Sequence, residues 1–176
     1  MKRVLLDTNI YGEIVKCNDT ELVKRFVENK LGMNIAVYGN SVIRRELRDV
    51  PKKTQEGRRT RLAVLTLYDL MVGSHSFELT GVMHELANAY VSVHKELKGQ
   101  LQRKKSFDEP LYNDFLIIAS ATLKGLDVVY SCDEKTMFSE EARKAYKIVN
   151  DVKKLRTPNF ESYDGFIKEI KRWLPL

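Results

Sequence analysis

The chain of 176 residues has few cysteines and no long apolar run, so it lacks the features that cross-link a protein or insert it into a membrane. Its two cysteines, Cys17 and Cys132, are too few for a disulfide framework and fit a reducing cytosol. No apolar run approaches membrane-spanning length. The N-terminal apolar run stops at Leu6, which is too short for a signal peptide. We therefore expect a cytoplasmic protein without membrane association.

The sequence also lacks the fingerprints of several enzyme classes. It has no glycine-rich dinucleotide-binding or Walker motif. Asn9 stands two residues after Asp7, where a haloacid-dehalogenase-type phosphatase needs a second acid. The three histidines have no zinc-ligand spacing, and none is placed by sequence to activate Cys132 as a nucleophile. These absences disfavour nucleotide-cofactor, zinc and thiol chemistry.

The composition describes a globular protein with a basic surface. Hydrophobic residues make up 43% and charged residues 31% of the chain, and the length suits a single domain. The net charge of +6 and the pI near 9.2 favour an anionic partner, with nucleic acid as the first candidate. A lysine-rich solvated surface is the alternative explanation.

Two short apolar runs each end near an acid. Residues 4–6 predict a buried strand that stops at Asp7, and residues 127–130 predict a strand that is followed by Asp133. Further strands are predicted at residues 34–38, 76–79 and 147–149, with helices between the strands. This alternation predicts an α/β fold with a parallel sheet, in which the carboxyl ends of the strands share one edge. Ligands of such sheets bind at that edge.

Two more acids lie on predicted helices and face inward. Asp114 stands in the first turn of a helix that Gly125 ends, on the same stripe as Ile117 and Ile118. Glu46 lies within the apolar stripe of the third helix, which Asn40 or the next residue caps. Each acid has a structural alternative: Asp114 could cap its helix, and Glu46 could pair with a basic side chain at the edge of the stripe.

Acids that converge at one point require a counter-charge. Like charges within a few ångström raise one another's pKa, so a cluster of carboxylates is unstable without a cation. Mg²⁺ and Mn²⁺ are hard cations that prefer oxygen ligands. We therefore predict a Mg²⁺ or Mn²⁺ site formed by the carboxylates of Asp7, Glu46, Asp114 and Asp133.

The pattern resembles the PIN domain, and most closely the VapC-type toxin ribonucleases of bacterial and archaeal toxin–antitoxin pairs. The matching segments are LLDTNIYGEIV at the N-terminus, VIRREL, NDFLIIASA and the SCDEKTM turn after DVVY. The D-T-N and D-x-x-I-A patterns are the specific parts. The chain departs from the pattern at Cys132, where such toxins often have arginine or another polar residue, and in its longer lysine-rich middle and C-terminal tail.

The resemblance implies a fold and an activity. The fold would be one PIN-like domain over residues 1–176, a three-layer αβα sandwich around a central, mostly parallel five-stranded sheet. The residues themselves, and not the resemblance, predict a basic helical middle at about 52–105 and a C-terminal helix at about 162–173. The activity would be metal-dependent hydrolysis of RNA by a homodimer that has a small antitoxin protein as its partner. An RNA-processing PIN nuclease without a toxin role, or a non-catalytic nucleic-acid-binding module, remains as an alternative.

The resemblance also implies roles for individual residues. Asp7 would be the central metal ligand, and Glu46 would be a ligand or hold a water beside the ion. The other two predicted acids would complete the metal shell. Thr8, Asn9 and Ser131 would orient carboxylates or the scissile phosphate. Basic residues that could grip RNA phosphates, or could be solvated helix faces, are Arg44, Lys52, Lys53, Arg58, Arg59, Lys104 and Lys105.

Overall fold

The computed structural model describes residues 1–29, 35–50, 54–99 and 109–174. Contacts divide the chain into two compact units. The sheet unit comprises Met1–Glu78, Asp127–Cys132 and Phe160–Leu176, and the helical unit comprises Leu79–Leu126 and Asp133–Asn159. That residues 1–176 form one domain stays a prediction.

A five-stranded sheet has all its strands parallel. The strands are β1 (Lys2–Leu6), β2 (Ile35–Asn40), β3 (Ser76–Phe77), β4 (Val128–Tyr130) and β5 (Asn159–Glu161), in the order β3-β2-β1-β4-β5. Central strand β1 buries its apolar run, so Leu5 and Leu6 have no exposed surface. A parallel strand covered on both faces needs such a continuous apolar run. The predicted α/β class and parallel five-stranded sheet flanked by helices are confirmed.

In the described part of the sheet unit, five α-helices accompany the sheet: α1 (Thr8–Lys16), α2 (Thr20–Glu28), α3 (Ser41–Arg48), α4 (Gln55–Val72) and, at the C-terminus, α8 (Tyr163–Trp173). The predicted C-terminal helix is therefore confirmed. Asn40 caps α3, since its Oδ1 accepts a hydrogen bond of 3.1 Å from the amide of Ile43. This cap starts α3 directly at the end of β2.

The helical unit is built from α5 (Gly81–Leu97), α6 (Glu109–Leu123) and α7 (Glu140–Lys153). Helix α6 ends at Leu123, and Gly125 is the stop residue that the sequence predicted. Its φ of +61° is a backbone conformation that glycine adopts at low cost. The amide of Gly125 donates to the carbonyl of Thr122, and the amide of Leu126 donates to that of Ala121. This pair of bonds is a Schellman motif.

Two expectations about these helices are wrong. Helix α6 begins at Glu109, so Asp114 is its sixth residue and does not stand in the first turn. The first turn of a helix tolerates proline, so α6 can include Pro110. The apolar stripe that is visible in the sequence begins only later, which placed the predicted start too far along the chain. Because a helix cap must lie at the end of the helix, the capping explanation for Asp114 is excluded.

The predicted strand at residues 147–149 is part of α7, and the fifth strand is β5. Ala142, Tyr146 and Val149 are buried at helical spacing. Ser139 caps the helix by accepting from the amide of Ala142 at 3.3 Å. The helical period and this cap outweigh the β-propensity of a three-residue run. None of the described helices combines the length and the apolarity needed to cross a membrane.

A buried polar network joins the three helices of the helical unit. The Tyr90 hydroxyl donates to Oδ1 of Asn150 at 2.7 Å and lies 3.2 Å from the Thr122 hydroxyl. The amide nitrogen of Asn150 donates to Thr157 at 2.9 Å. Burial raises the pKa of Tyr90 to about 12, although both hydrogen bonds lower it in part. The phenol is therefore neutral and acts as a donor.

We expect Asn150→Ala to lower the free energy of unfolding by about 1 to 3 kcal/mol, because it removes the acceptor of a buried hydroxyl. Urea denaturation measures the change. Asp151→Ala is the matched control, since Asp151 is exposed and its ion pair with Lys147 is a surface pair. The control should change stability by no more than about 0.5 kcal/mol. Equal effects of the two variants would contradict a structural role for the network.

Candidate active site

Asp7 is a buried carboxylate at the end of central strand β1, with 5% of its surface exposed. Its Oδ1 accepts from the amide of Thr8 at 2.7 Å, and its Oδ2 accepts from the hydroxyl of Ser131 at 2.7 Å. The backbone amide of Asp7 donates to the carbonyl of Tyr130 at 2.9 Å. The ends of the neighbouring strands β1 and β4 therefore fix the position and the rotation of this carboxylate.

Asn9 sets the direction of the Ser131 hydroxyl. The amide nitrogen of Asn9 donates to Ser131 Oγ at 3.0 Å, and the amide oxygen accepts from the backbone of Cys132 at 2.9 Å. Because Ser131 Oγ accepts from Asn9, its only hydrogen is directed to Asp7. The structure thus brings Asn9, Ser131 and Asp7 together in one chain of hydrogen bonds.

Glu46 is linked to the same turn through a threonine. The Thr8 hydroxyl donates to Glu46 Oε2 at 2.6 Å, while the Thr8 amide donates to Asp7. Glu46 is partly buried on α3, the helix that Asn40 caps at the end of β2. One residue at the start of α1 therefore holds two of the predicted acids, Asp7 and Glu46, in the sheet unit.

The helical unit holds the other two predicted acids as a second pair. The hydroxyl of Thr136 is in hydrogen-bond contact with Asp114 Oδ2, at 2.9 Å, and with Asp133 Oδ2. Asp133 Oδ1 accepts from the amides of Lys135 and Thr136 at 3.0 and 2.8 Å, which closes a tight turn around this carboxylate. Sequence reasoning missed Thr136, whose only local signal is its place three residues after an aspartate.

These hydrogen bonds affect the charge of Asp133. Burial raises its pKa, but hydrogen bonds from the hydroxyl and amide of Thr136 and from the amides of Lys135 and Met137 together lower it by more. The pKa of Asp133 therefore lies below the usual range of an aspartate. Asp133 is therefore ionised at neutral pH. A hydroxyl has one hydrogen and can donate to only one of the two carboxylates at a time. Two carboxylates that share one hydroxyl offer a set of oxygen donors of the kind that a hard cation prefers.

The donor set fits a hard divalent cation, because each pair offers carboxylate and hydroxyl oxygens. Among the residues that the structure describes, no group of three or more His, Cys, Asp or Glu side chains is arranged to hold a metal ion. The sheet unit has the pair Asp7 and Glu46, and the helical unit has the pair Asp114 and Asp133. A single site formed by all four acids stays a prediction, as do the roles of the residues around them.

Cys132 is exposed beside the Asp7 site. Partial burial of the thiol raises its pKa, and the carboxylates of Glu13 and Asp7 raise it further. Only the thiolate is a strong nucleophile, so this environment suppresses the reactivity of Cys132. This environment agrees with the sequence, which has no histidine placed to activate Cys132.

The predicted RNA-contacting residues differ in their surroundings. The guanidinium of Arg44 binds both carboxylate oxygens of Asp69 at 3.1 and 3.2 Å. Arg58 and Arg59 are exposed near the start of α4. The other four predicted residues, Lys52, Lys53, Lys104 and Lys105, lie outside the described residues. Contact of these side chains with RNA stays a prediction.

Comparisons with known proteins agree with this fold. The family model of the PIN domain matches residues 4–144, which is well over half of the chain. The structure is similar to VapBC-1 from nontypeable Haemophilus influenzae, with a TM-score of 0.53 and 13% identity over 92% of this chain and 98% of the matched chain.

It is also similar to VapBC2 from Rickettsia felis bound to a DNA fragment from their promoter. The TM-score is 0.51 and the identity 14%, over 91% of this chain and 98% of the matched chain. No curated protein matches the sequence. At these identities the solved structures support the fold, while the family match extends from β1 into α7. The chain belongs to the PIN domain family.

Proposed function

We propose that this protein is a metal-dependent endoribonuclease that hydrolyses RNA phosphodiester bonds and acts as the toxin of a toxin–antitoxin pair. PIN domains are generally nucleases, so membership of the family supports a hydrolase. The observation that carries the proposal is the buried carboxylate of Asp7, which a hydroxyl and an amide orient at the end of β1. Ligands of parallel sheets bind at such strand ends.

The proposed ligands are the carboxylates of Asp7, Glu46, Asp114 and Asp133. When bound, Mg²⁺ or Mn²⁺ would activate a water for attack on phosphorus and neutralise charge on the leaving oxygen. The protein's own contribution is to fix the carboxylates before the ion binds. Thr8 and Ser131 restrict rotation of Asp7, and Thr136 restricts rotation of Asp114. Prearranged oxygens of this kind reduce the cost of ordering ligands on binding.

The lowered pKa of Asp133 also suits this reaction. An ionised carboxylate at neutral pH can bind a cation without first losing a proton. Hydrolysis by water would leave a 5′-phosphate and a 3′-hydroxyl on the RNA fragments, and analysis of the product ends can reject this. The exposed arginines Arg58 and Arg59 are proposed to contact the RNA backbone.

The toxin role draws on the two similar structures, both of which are VapBC proteins. We propose by analogy a small antitoxin protein as partner, a homodimer as the functional form, and the cytoplasm as the place of action. A binding assay tests the partner: a short DNA-binding protein encoded next to this gene should form a stable complex with the chain and suppress its cleavage of RNA.

Asp7→Asn tests the proposed site most simply. The substitution keeps the shape of the side chain and removes its charge, so we expect cleavage of labelled RNA with Mg²⁺ or Mn²⁺ to fall by about a hundredfold or more. Loss of a residue that only supports a metal ligand already costs about 10- to 100-fold. Asp151→Asn, an exposed acid on α7, is the matched control and should leave cleavage unchanged.

Two outcomes would contradict the proposal. Equal metal-dependent cleavage by the wild type and by Asp7→Asn would show that Asp7 takes no part in the reaction. If varied RNAs are bound but not cleaved, and Asp7→Asn does not change binding, the protein is instead a nucleic-acid-binding module.

Thr136→Val tests the role of the hydroxyl between Asp114 and Asp133. Without this hydrogen bond the pKa of Asp133 should rise toward its usual value in the metal-free protein, as measured by NMR titration. The acidic limb of the cleavage profile should therefore move to higher pH. Because the variant also loses the hydroxyl that orients the two carboxylates, cleavage at neutral pH should fall by about 10- to 100-fold. Thr136→Ser keeps the hydroxyl and should keep most of the activity. Equal loss in the serine variant would show that packing of the methyl group matters instead.

A further inference from the structure

Tyr11 has a buried hydroxyl that the structure leaves without a partner. Its side chain has no exposed surface, and no hydrogen-bond partner for the hydroxyl exists among the described residues. A buried hydroxyl that makes no hydrogen bond destabilises the folded state. Native proteins keep few such groups, and each one calls for a specific explanation. A phenylalanine would fill the same space without this cost.

The position of Tyr11 relates its hydroxyl to Asp7. Asp7 caps α1, and Tyr11 follows it by four residues, so the two residues lie one turn apart on the same face of the helix. Helical side chains lean toward the N-terminus, which directs the Tyr11 ring toward the turn that carries Asp7. Burial raises the pKa of Tyr11 well above its usual value, and Tyr68 and Asp7 raise it further. The group is therefore a neutral phenol.

The neighbouring tyrosine cannot satisfy this hydroxyl. The rings of Tyr11 and Tyr68 are 5.7 Å apart between centroids. The hydroxyl of Tyr68 donates to the carbonyl of Asn40 at 3.3 Å and lies 3.5 Å from the hydroxyl of Ser76. Tyr68 therefore has structural partners on β2 and β3, whereas Tyr11 has none in the part of the chain that the structure describes.

We propose that the Tyr11 hydroxyl is a positioning group for the cation at Asp7, and that its oxygen accepts a hydrogen bond from a water that accompanies the ion. A protein-bound Mg²⁺ usually keeps several of its waters, and these waters need hydrogen-bond acceptors nearby. This inference rests on the proposed metal dependence. It assigns to α1 a second contribution to the site, one helical turn beyond Asp7.

Tyr11→Phe separates this role from packing, because it removes only the hydroxyl. Without added metal, we expect the variant to be more stable than the wild type, with a midpoint of thermal unfolding about 2 to 4 °C higher. With Mn²⁺, the wild type should gain stability and the variant should gain less. The dissociation constant for Mn²⁺, measured by calorimetric titration, should rise about tenfold or more.

Tyr68→Phe is the matched control from the same aromatic pair. It removes a hydroxyl that already has partners, so the midpoint without metal should fall, while the response to Mn²⁺ should equal that of the wild type. The proposed role therefore predicts that, without metal, the unfolding midpoint rises in Tyr11→Phe and falls in Tyr68→Phe. It also predicts that only Tyr11→Phe has a weaker response to Mn²⁺ than the wild type.

Three results would overturn the inference, and they are distinguishable. A Tyr11→Phe variant that is less stable than the wild type without metal, or that does not fold, would show that the hydroxyl has a resident partner. An unchanged response to Mn²⁺ in a stabilised variant would show that the hydroxyl does not serve the ion, and the proposed nuclease would stand. A wild type that does not respond to Mn²⁺ would overturn both proposals.

Discussion

The orientation of the Asp7 carboxylate depends on the parallel pairing of β1 with β4. This pairing sets Leu6 opposite Tyr130, so the residues that follow each strand, Asp7 and Ser131, are neighbours. The hydroxyl of Ser131 then reaches Asp7, and Asn9 at the start of α1 fixes the direction of that hydroxyl. A shift of one residue in the register would reverse the faces of the strand and separate these groups. The apolar core of the sheet therefore positions the proposed chemistry.

A threonine beside two carboxylates occurs in both compact units. In one unit the amide of Thr8 donates to Asp7 and its hydroxyl donates to Glu46. In the other unit the hydroxyl of Thr136 contacts both Asp114 and Asp133. A hydroxyl that donates to a carboxylate orients it and leaves its charge in place. A lysine or arginine in the same place would compete with a divalent ion. Neutral hydroxyl partners are thus consistent with carboxylates that are kept for a metal.

Local signals predicted much of the fold. The apolar run at residues 4–6, the cap at Asn40 and the stop at Gly125 each act within a few residues, and the structure has all three. The start of α6 was predicted too late, because its first turn contains Glu109 and Pro110 and shows no apolar period. Residues 147–149 were predicted as a strand because the buried alanine positions of α7 contribute little hydrophobic signal.

The sequence predicted the acidic residues of the candidate site, but not the hydroxyl groups of Thr136 and Tyr11 around them. Acids that follow strands or interrupt apolar stripes are visible in the sequence, since carboxylates are rare at such positions. Thr136 meets Asp114 across 22 residues of sequence, and the isolation of the Tyr11 hydroxyl depends on the packing of α4 against α1. These contacts are tertiary, and no local pattern encodes them.

The central claim is that the carboxylates form a divalent-cation site, and its most direct test is equilibrium binding of Mn²⁺. Calorimetric titration of the wild type and of Asp7→Asn without RNA measures the affinity for the ion alone. The account predicts saturable binding by the wild type and binding that is at least about tenfold weaker in Asp7→Asn. Equal affinity in the two proteins, or no binding by the wild type, would contradict it.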